Sequence, residues 1–195
     1  MNSKITIPTD FPFQYFPNYF DSKGLMEKIL NQITLQSDTI LIGRGEVQVE
    51  VPERRQTAWL SDTETLTFEY SGKVMVPKPI PSFIKVLQLK LLEDFGVEFD
   101  GILINYYPDG NSSMGYHSDP IGEKWTNDFI ILSLGATREF IFRNREVKEE
   151  KIRYEFKDGD MIYMTDDCQE KYEHSLKKCK QDNTPRISLV FKKSK

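Results

Sequence analysis

Only two histidines, His117 and His174, and two cysteines, Cys168 and Cys179, occur in the 195 residues. Two cysteines make neither a disulfide framework nor a zinc knuckle, so an apolar core is expected to carry the fold. The chain is long enough to bury one. No apolar run approaches the roughly 18 residues that a membrane span needs. The opening MNSKITIPTDFPFQYF has neither a continuous apolar core nor a small-residue cleavage site. These absences lead us to expect an intracellular, soluble protein with no membrane partner. Basic residues are not in excess either: 26 Lys and Arg stand against 30 Asp and Glu, a formal charge of −4. That excludes a uniformly basic nucleic-acid sleeve but leaves room for a local basic edge. The last twenty residues offer one, with Lys177, Lys178, Lys180, Arg186, Lys192, Lys193 and Lys195 against Asp182 alone. Internal repeats, low-complexity tracts and Gly/Ser linkers are also missing, so one domain over residues 1–195, acting as a monomer, is expected.

What is present is mostly strand-like. EVQVEV at 46–51 alternates strictly, as a half-buried strand does. Further extended runs fall at 66–72, 98–107, 128–134, 137–143, 151–157, 160–164 and 186–192, with glycine turns in GATREF and KDGDMIY. A short helix is expected over 22–31, capped by Asp21 or Ser22, with Leu25, Ile29 and Leu30 inward. A longer one should run from Ser82 to about Phe95, with Phe83, Val86, Leu87, Leu91 and Phe95 at helical spacing and Gly96 as its stop. Many short strands, few of them separated by helices, favour a mainly β fold of barrel or jelly-roll type. The two early helices would brace one outer face.

The two histidines stand in informative company. In Gly115-Tyr116-His117-Ser118-Asp119, an extended backbone projects His117 and Asp119 from one face. Imidazole and carboxylate so placed can meet one metal ion, and His174 is the only other histidine available as a third ligand. Two histidines and one carboxylate form the facial arrangement that holds non-haem Fe(II) with coordination positions left open. Taken alone, an HxD pair is weak, because either histidine can equally be a surface group or a satisfied core residue.

The surrounding run gives it specificity. Asn105-Tyr-Tyr107-Pro-Asp-Gly110, followed by His117 and Asp119, then His174 and Arg186-Ile-Ser188-Leu-Val-Phe-Lys192, resembles the AlkB family of Fe(II)- and 2-oxoglutarate-dependent dioxygenases. Between these motifs, Ser133-Leu-Gly135-Ala-Thr-Arg138-Glu-Phe140 is similar to the family's paired strands, and Asp158-Gly159-Asp160 to its GD turn. The resemblance covers roughly residues 10–193. It implies a double-stranded β-helix, a cupin-like jelly roll, braced by N-terminal helices. It also implies Fe(II) and 2-oxoglutarate as cofactors, with His117, Asp119 and His174 as metal ligands and catalytic centre.

On the same resemblance, Arg186 pairs with the distal carboxylate of 2-oxoglutarate and Tyr107 donates a hydrogen bond to it. A planar guanidinium suits a carboxylate because it engages both oxygens. Asn105 then contacts the cosubstrate end nearer the metal. Ser188 stands where asparagine is more frequent, and Lys192 where the family usually has a second arginine. Lysine keeps the charge but gives up the rigid fork.

Upstream, Val51-Pro-Glu-Arg54-Arg55-Gln-Thr-Ala-Trp59 resembles a lid segment of AlkB-type nucleic-acid demethylases, within a nucleotide-recognition region around 42–72. Arg54 and Arg55 are candidates for phosphate contact, and Trp59, Phe68, Tyr70 and Tyr116 for base stacking or, equally, core packing. Arg138 reads as either a hairpin arginine or a substrate contact. Many such relatives carry an acidic residue two places after the metal-binding aspartate; here that place is Ile121, with Glu123 nearby. The implied activity is oxidative demethylation of N-alkylated bases in DNA or RNA. The cosubstrates would leave as succinate and CO₂, and an N-methyl group as formaldehyde. A paired base must leave its stack to reach a buried centre, whereas a single strand avoids that cost. Two alternatives remain at this stage: the same centre acting on a protein side chain or small molecule, and a non-catalytic jelly-roll binding module.

Overall fold

The computed structural model describes residues 11–44 and 47–195. Two antiparallel sheets enclose its interior. The larger runs, in spatial order, β1 (Phe13–Phe16), β12 (Met161–Met164), β9 (Trp125–Gly135), β14 (Arg186–Ser194), β7 (Gly101–Tyr107) and β4 (Gln56–Leu60). The smaller comprises β11 (Lys151–Phe156), β10 (Arg138–Asn144), β13 (Tyr172–Leu176) and β8 (Met114–His117). Two separate hairpins pair β2 (Thr39–Arg44) with β3 (Val47–Pro52), and β5 (Phe68–Tyr70) with β6 (Lys73–Met75). Strands linked across two facing sheets rather than in sequence order make this the expected jelly roll.

Period-two alternation sorts the large sheet into two cores. Ile187, Leu189 and Phe191 of β14, with Ile102 and Ile104 of β7, face outward and pack under α1 (Leu25–Gln32) and α2 (Ser82–Phe95). The alternate residues Val190, Leu103 and Ile131 turn inward to meet Phe140, Phe142, Phe156 and Leu176 of the small sheet. On those inward rows sit the polar exceptions: Asn105 and Tyr107 on β7, and Arg186, Ser188 and Lys192 on β14. Ladder register places Arg186 opposite Tyr107 and Ser188 opposite Asn105. Alternation alone therefore carries these side chains into the space between the sheets.

The long helix occupies Ser82–Phe95 as expected, and Gly96 ends it in the left-handed conformation. Its inward side is Ile84 and Leu91, with Phe83, Leu87 and Phe95 partly covered, whereas Val86 is exposed. In α1, Leu25 and Ile29 are buried but Leu30 faces solvent. Gly24, not Asp21 or Ser22, precedes that helix, and no side chain caps it. The run at 66–72 is shorter than expected because Ser71 and Gly72, both at positive φ, turn it into the β5–β6 hairpin. The strand expected at 46–51 is β3; Glu46, and residue 45 within the lid region, lie outside the described residues.

The loop after β7 depends on Gly110. A Cβ there would lie 1.8 Å from the carbonyl oxygen of Cys179 and 2.2 Å from that of Asp182. The Cys179 N–H donates to the Gly110 carbonyl at 2.8 Å, so two loops lock backbone against backbone. Asp160 makes a second lock. It is buried and accepts hydrogen bonds from the Tyr15 hydroxyl, the Asn18 N–H and the Lys157 N–H, fastening the N-terminal strand to the GD turn.

Candidate active site

Adjacent strands of the small sheet supply the centre. His117 ends β8 and is the register partner of His174 on β13, with ring centroids 4.3 Å apart. Asp119 lies just beyond β8 and brings Oδ2 to 3.5 Å from His174 Nε2. One ligand atom from each of the three falls within 4.8 Å of the others. Gly115 accepts a hydrogen bond from His117 Nδ1 at 2.9 Å. A carbonyl only accepts, so that nitrogen carries the proton and Nε2 is left with its lone pair free, as a metal ligand requires. Burial lowers the proton affinity of both imidazoles, that of His174 to about 3. Asp119 is held well below the usual carboxylate range by Lys192 and the two imidazoles, against the opposing effect of burial.

Lys192 is fully buried and donates to Asp119 Oδ1 at 2.7 Å, with Phe129 beneath its ammonium at 4.1 Å. The resemblance grouped Lys192 with the residues that bind the cosubstrate or support its neighbourhood; here its ammonium bonds to the aspartate, and the cavity wall does not include it. The opposite side of Asp119 is held by Gln169, a buried residue of α3 (Cys168–Lys171) that sequence reasoning passed over. Its Oε1 accepts the Asp119 N–H at 2.8 Å, while its Nε2 lies 3.3 Å from Met164 Sδ. Nothing in the local sequence announces this contact, because it joins segments fifty residues apart.

A cavity of about 900 Å³ opens over these groups. Its floor includes His117, Asp119, His174, Asn105, Tyr107, Arg186 and Ser188. Arg186 is 1% exposed, yet its Nε and Nη2 have no hydrogen-bond partner. Burial and nearby Arg138 lower its proton affinity to about 10, which leaves it a cation at neutral pH. Asn105 donates to Ser188 Oγ at 3.3 Å, and its Oδ1 is likewise unpartnered. A buried cation with idle donors is costly, and a carboxylate would complete it. Three hard or borderline ligands beside such a cation fit Fe(II) and a dicarboxylate.

The outer wall comes from the hairpin region: Ile40, Val51, Pro52, Glu53, Arg54, Arg55, Phe68, Tyr70 and Ser71. Arg55 is buried, its Nε donating to Glu53 Oε1 at 2.7 Å, while Arg54 is exposed at the rim. Tyr70 donates its hydroxyl to the same carboxylate at 3.0 Å. Tyr70 was among the aromatic candidates, whereas Glu53 went unassigned although it lies within the segment already singled out.

Four other candidate substrate contacts, Trp59, Tyr116, Arg138 and Glu123, lie outside the cavity wall. Trp59 is 1% exposed, stacks on Phe68, and donates to the Leu66 carbonyl; it is core, because β4 is covered on both faces. Tyr116 points to the opposite face of β8 from His117, where the Arg143 guanidinium sits 3.6 Å from its ring. Arg138 is buried and donates to the carbonyls of Asp109, Ser112 and Lys177, clamping loops together. Glu123 is exposed and outside the cavity wall, and Ile121 packs against the inner core.

A family model described as the 2OG-Fe(II) oxygenase superfamily matches residues 13–192. Uncharacterized protein R406 of Acanthamoeba polyphaga mimivirus is 36% identical over 93% of each chain. The mouse DNA oxidative demethylase ALKBH2 is 27% identical over 88% of this chain and 76% of its own. The chain belongs to the AlkB family of Fe(II)/2-oxoglutarate dioxygenases. Human alkB homolog 3, an alpha-ketoglutarate-dependent dioxygenase, is 26% identical over 91% of this chain and 64% of its own. Among solved structures, that of OsALKBH1 superposes with a TM-score of 0.64 over 96% of this chain, at 14% identity, a likeness of fold alone. As an AlkB-family dioxygenase the protein uses Fe(II) and 2-oxoglutarate. Among the described residues no helix is long and apolar enough to cross a membrane.

Proposed function

We propose that this dioxygenase removes alkyl groups from N-alkylated bases of DNA or RNA, presented singly or flipped from a stack. The observation that carries the reading is one cavity: the His117, Asp119 and His174 cluster on its floor and the Arg54, Arg55 and Tyr70 wall at its mouth. That volume lies in the range of ligand pockets and leaves space for both a dicarboxylate and a base.

In this reading His117, Asp119 and His174 hold the iron, and Arg186 with Tyr107 takes the distal carboxylate of 2-oxoglutarate. When bound, the pair supplies oxidation of a C–H bond by O₂, with succinate and CO₂ as coproducts. The protein's own work is positional. Lys192 and Gln169 grip Asp119 from two sides and leave Oδ2 turned toward His174. The Asn105–Ser188 pair supplies polar contacts at the floor between the metal ligands and Arg186. The hairpins carrying Val51 and Phe68 limit the entry of water. Tyr70 offers an aromatic face at the mouth, and the exposed Arg54 meets the phosphate backbone.

The test is turnover of Fe(II)-loaded protein with 2-oxoglutarate and single-stranded oligonucleotides bearing N-methylated bases, followed by mass spectrometry. One methyl mass lost per succinate formed is the expected result. Succinate formation with every oligonucleotide intact would direct the same centre to a protein or small-molecule substrate.

A further inference from the structure

The cavity is short of free negative charge. Two carboxylates line it, and both are engaged. Glu53 accepts from Arg55 Nε at 2.7 Å and from the Tyr70 hydroxyl at 3.0 Å. Asp119 accepts from Lys192 at 2.7 Å and belongs to the candidate metal cluster. Against these stand Arg54, Arg55 and Arg186 in the wall, with Lys192 behind the aspartate. Iron and 2-oxoglutarate bring opposite charges of equal size, so loading the site leaves this positive balance in place. The loop that follows Asp119 offers no relief. Beyond Pro120 it contributes nothing to the cavity wall: Ile121 packs into the core and Glu123 faces solvent.

N-alkylated bases divide by charge. Cytosine alkylated at N3, or adenine at N1, is a cation at neutral pH. Uracil or thymine alkylated at N3, or guanine at N1, is neutral and presents carbonyl oxygens. Inside a low-dielectric cavity whose wall is net positive and holds no free carboxylate, a cationic ring is repelled and has no anionic partner, whereas a carbonyl is accepted. We infer that the preferred substrate of this site is a neutral, carbonyl-bearing N-alkylated base, and that the cationic lesions are disfavoured. The inference rests on the nucleic-acid reading above and adds the chemical class of the base.

The matched pair for the test is 3-methyluracil and 3-methylcytosine in otherwise identical single strands, which differ at C4 in charge and hydrogen-bonding sense. Binding to the full chain, loaded with Mn(II) and 2-oxoglutarate so that nothing turns over, is read by fluorescence anisotropy. Demethylation is then read with Fe(II). The expected result is 3-methyluracil bound and demethylated about tenfold or more in preference to 3-methylcytosine. Arg54→Glu, a rim substitution that leaves the buried network alone, should weaken both strands through the lost phosphate contact and narrow that ratio, because the added carboxylate offsets part of the loss for cationic 3-methylcytosine. Equal or reversed preference in the wild-type protein would overturn the inference while leaving nucleic-acid demethylation intact. Binding and turnover of neither strand, nor of strands carrying the other N-methylated bases, would overturn both.

Discussion

His174 is held neutral by burial and by the neighbouring His117, so the folded protein refuses a proton that the unfolded chain accepts near pH 6.5. A depressed imidazole contributes stability above its unfolded pKa and loses it as pH falls, since the unfolded state then binds more protons. The metal-free protein should therefore lose about 2 kcal/mol on account of His174 between pH 7 and pH 5. His117 shifts in the same sense and adds to the loss. Asp119 does not offset it, because its own contribution persists until pH falls through the carboxylate range. Urea denaturation of chelator-treated protein at both pH values measures the loss, and His174→Gln should shrink it; an unchanged slope in that variant would place the effect elsewhere. At this scale the centre was legible because histidine is scarce, which left His174 as the only partner for the HxD pair. Lys192 and Gln169 were not legible in their actual roles. Each acts through Asp119 across a tertiary contact, and a sequence gives no sign of which buried polar groups meet.

The existence of most elements was legible, but where both faces are buried the side that meets the cavity was not. The α2 helix and β7, β9, β10, β11 and β14 lie close to where apolar runs and alternation place them. In β4, Ala58, Trp59 and Leu60 are all buried, so nothing in the pattern distinguishes the cavity side from the core side, and Trp59 stayed open between base stacking and core packing. The short strands β1 and β13 take their pairing from distant segments, beyond the reach of local propensity. Glycine carried more information than the hydrophobic pattern in the loop that joins β7 to β8. Gly110 admits no Cβ, because the obstructing atoms are backbone oxygens of another loop and cannot rotate away. Gly110→Ala should destabilise the fold by about 3 kcal/mol or more, the range of forced overpacking with loss of a buried contact. Gly115→Ala is the matched control: a Cβ there meets nothing within 4 Å, so its cost should stay below about 1 kcal/mol. Comparable losses in the two variants, measured by urea denaturation, would show that the loop lock carries no stability.

Across the whole molecule the candidate ligands divide between the two sheets. His117 and His174, with Asp119 just beyond β8, belong to the small sheet, whereas Arg186, Tyr107, Asn105 and Ser188 belong to the large one. A metal alone therefore ties together one sheet, and a dicarboxylate that reaches both metal and Arg186 ties the sandwich across its open end. Without it, Arg186 is a buried cation with two idle donors, which costs stability. Thermal unfolding should accordingly rise in two steps, first with Mn(II) and then with 2-oxoglutarate in its presence. At a hundredfold excess over its Kd the second ligand contributes about 2.7 kcal/mol, or roughly 5–10 °C for a domain of this size. Arg186→Met separates the site from the fold. The variant should keep the metal step, lose the 2-oxoglutarate step, and melt in the ligand-free state no lower than the wild type, because an apolar side chain of similar length replaces an unpaired buried charge. A variant that still responds to 2-oxoglutarate would remove Arg186 from the cosubstrate site. A variant that melts far lower without ligand would make it a structural residue instead.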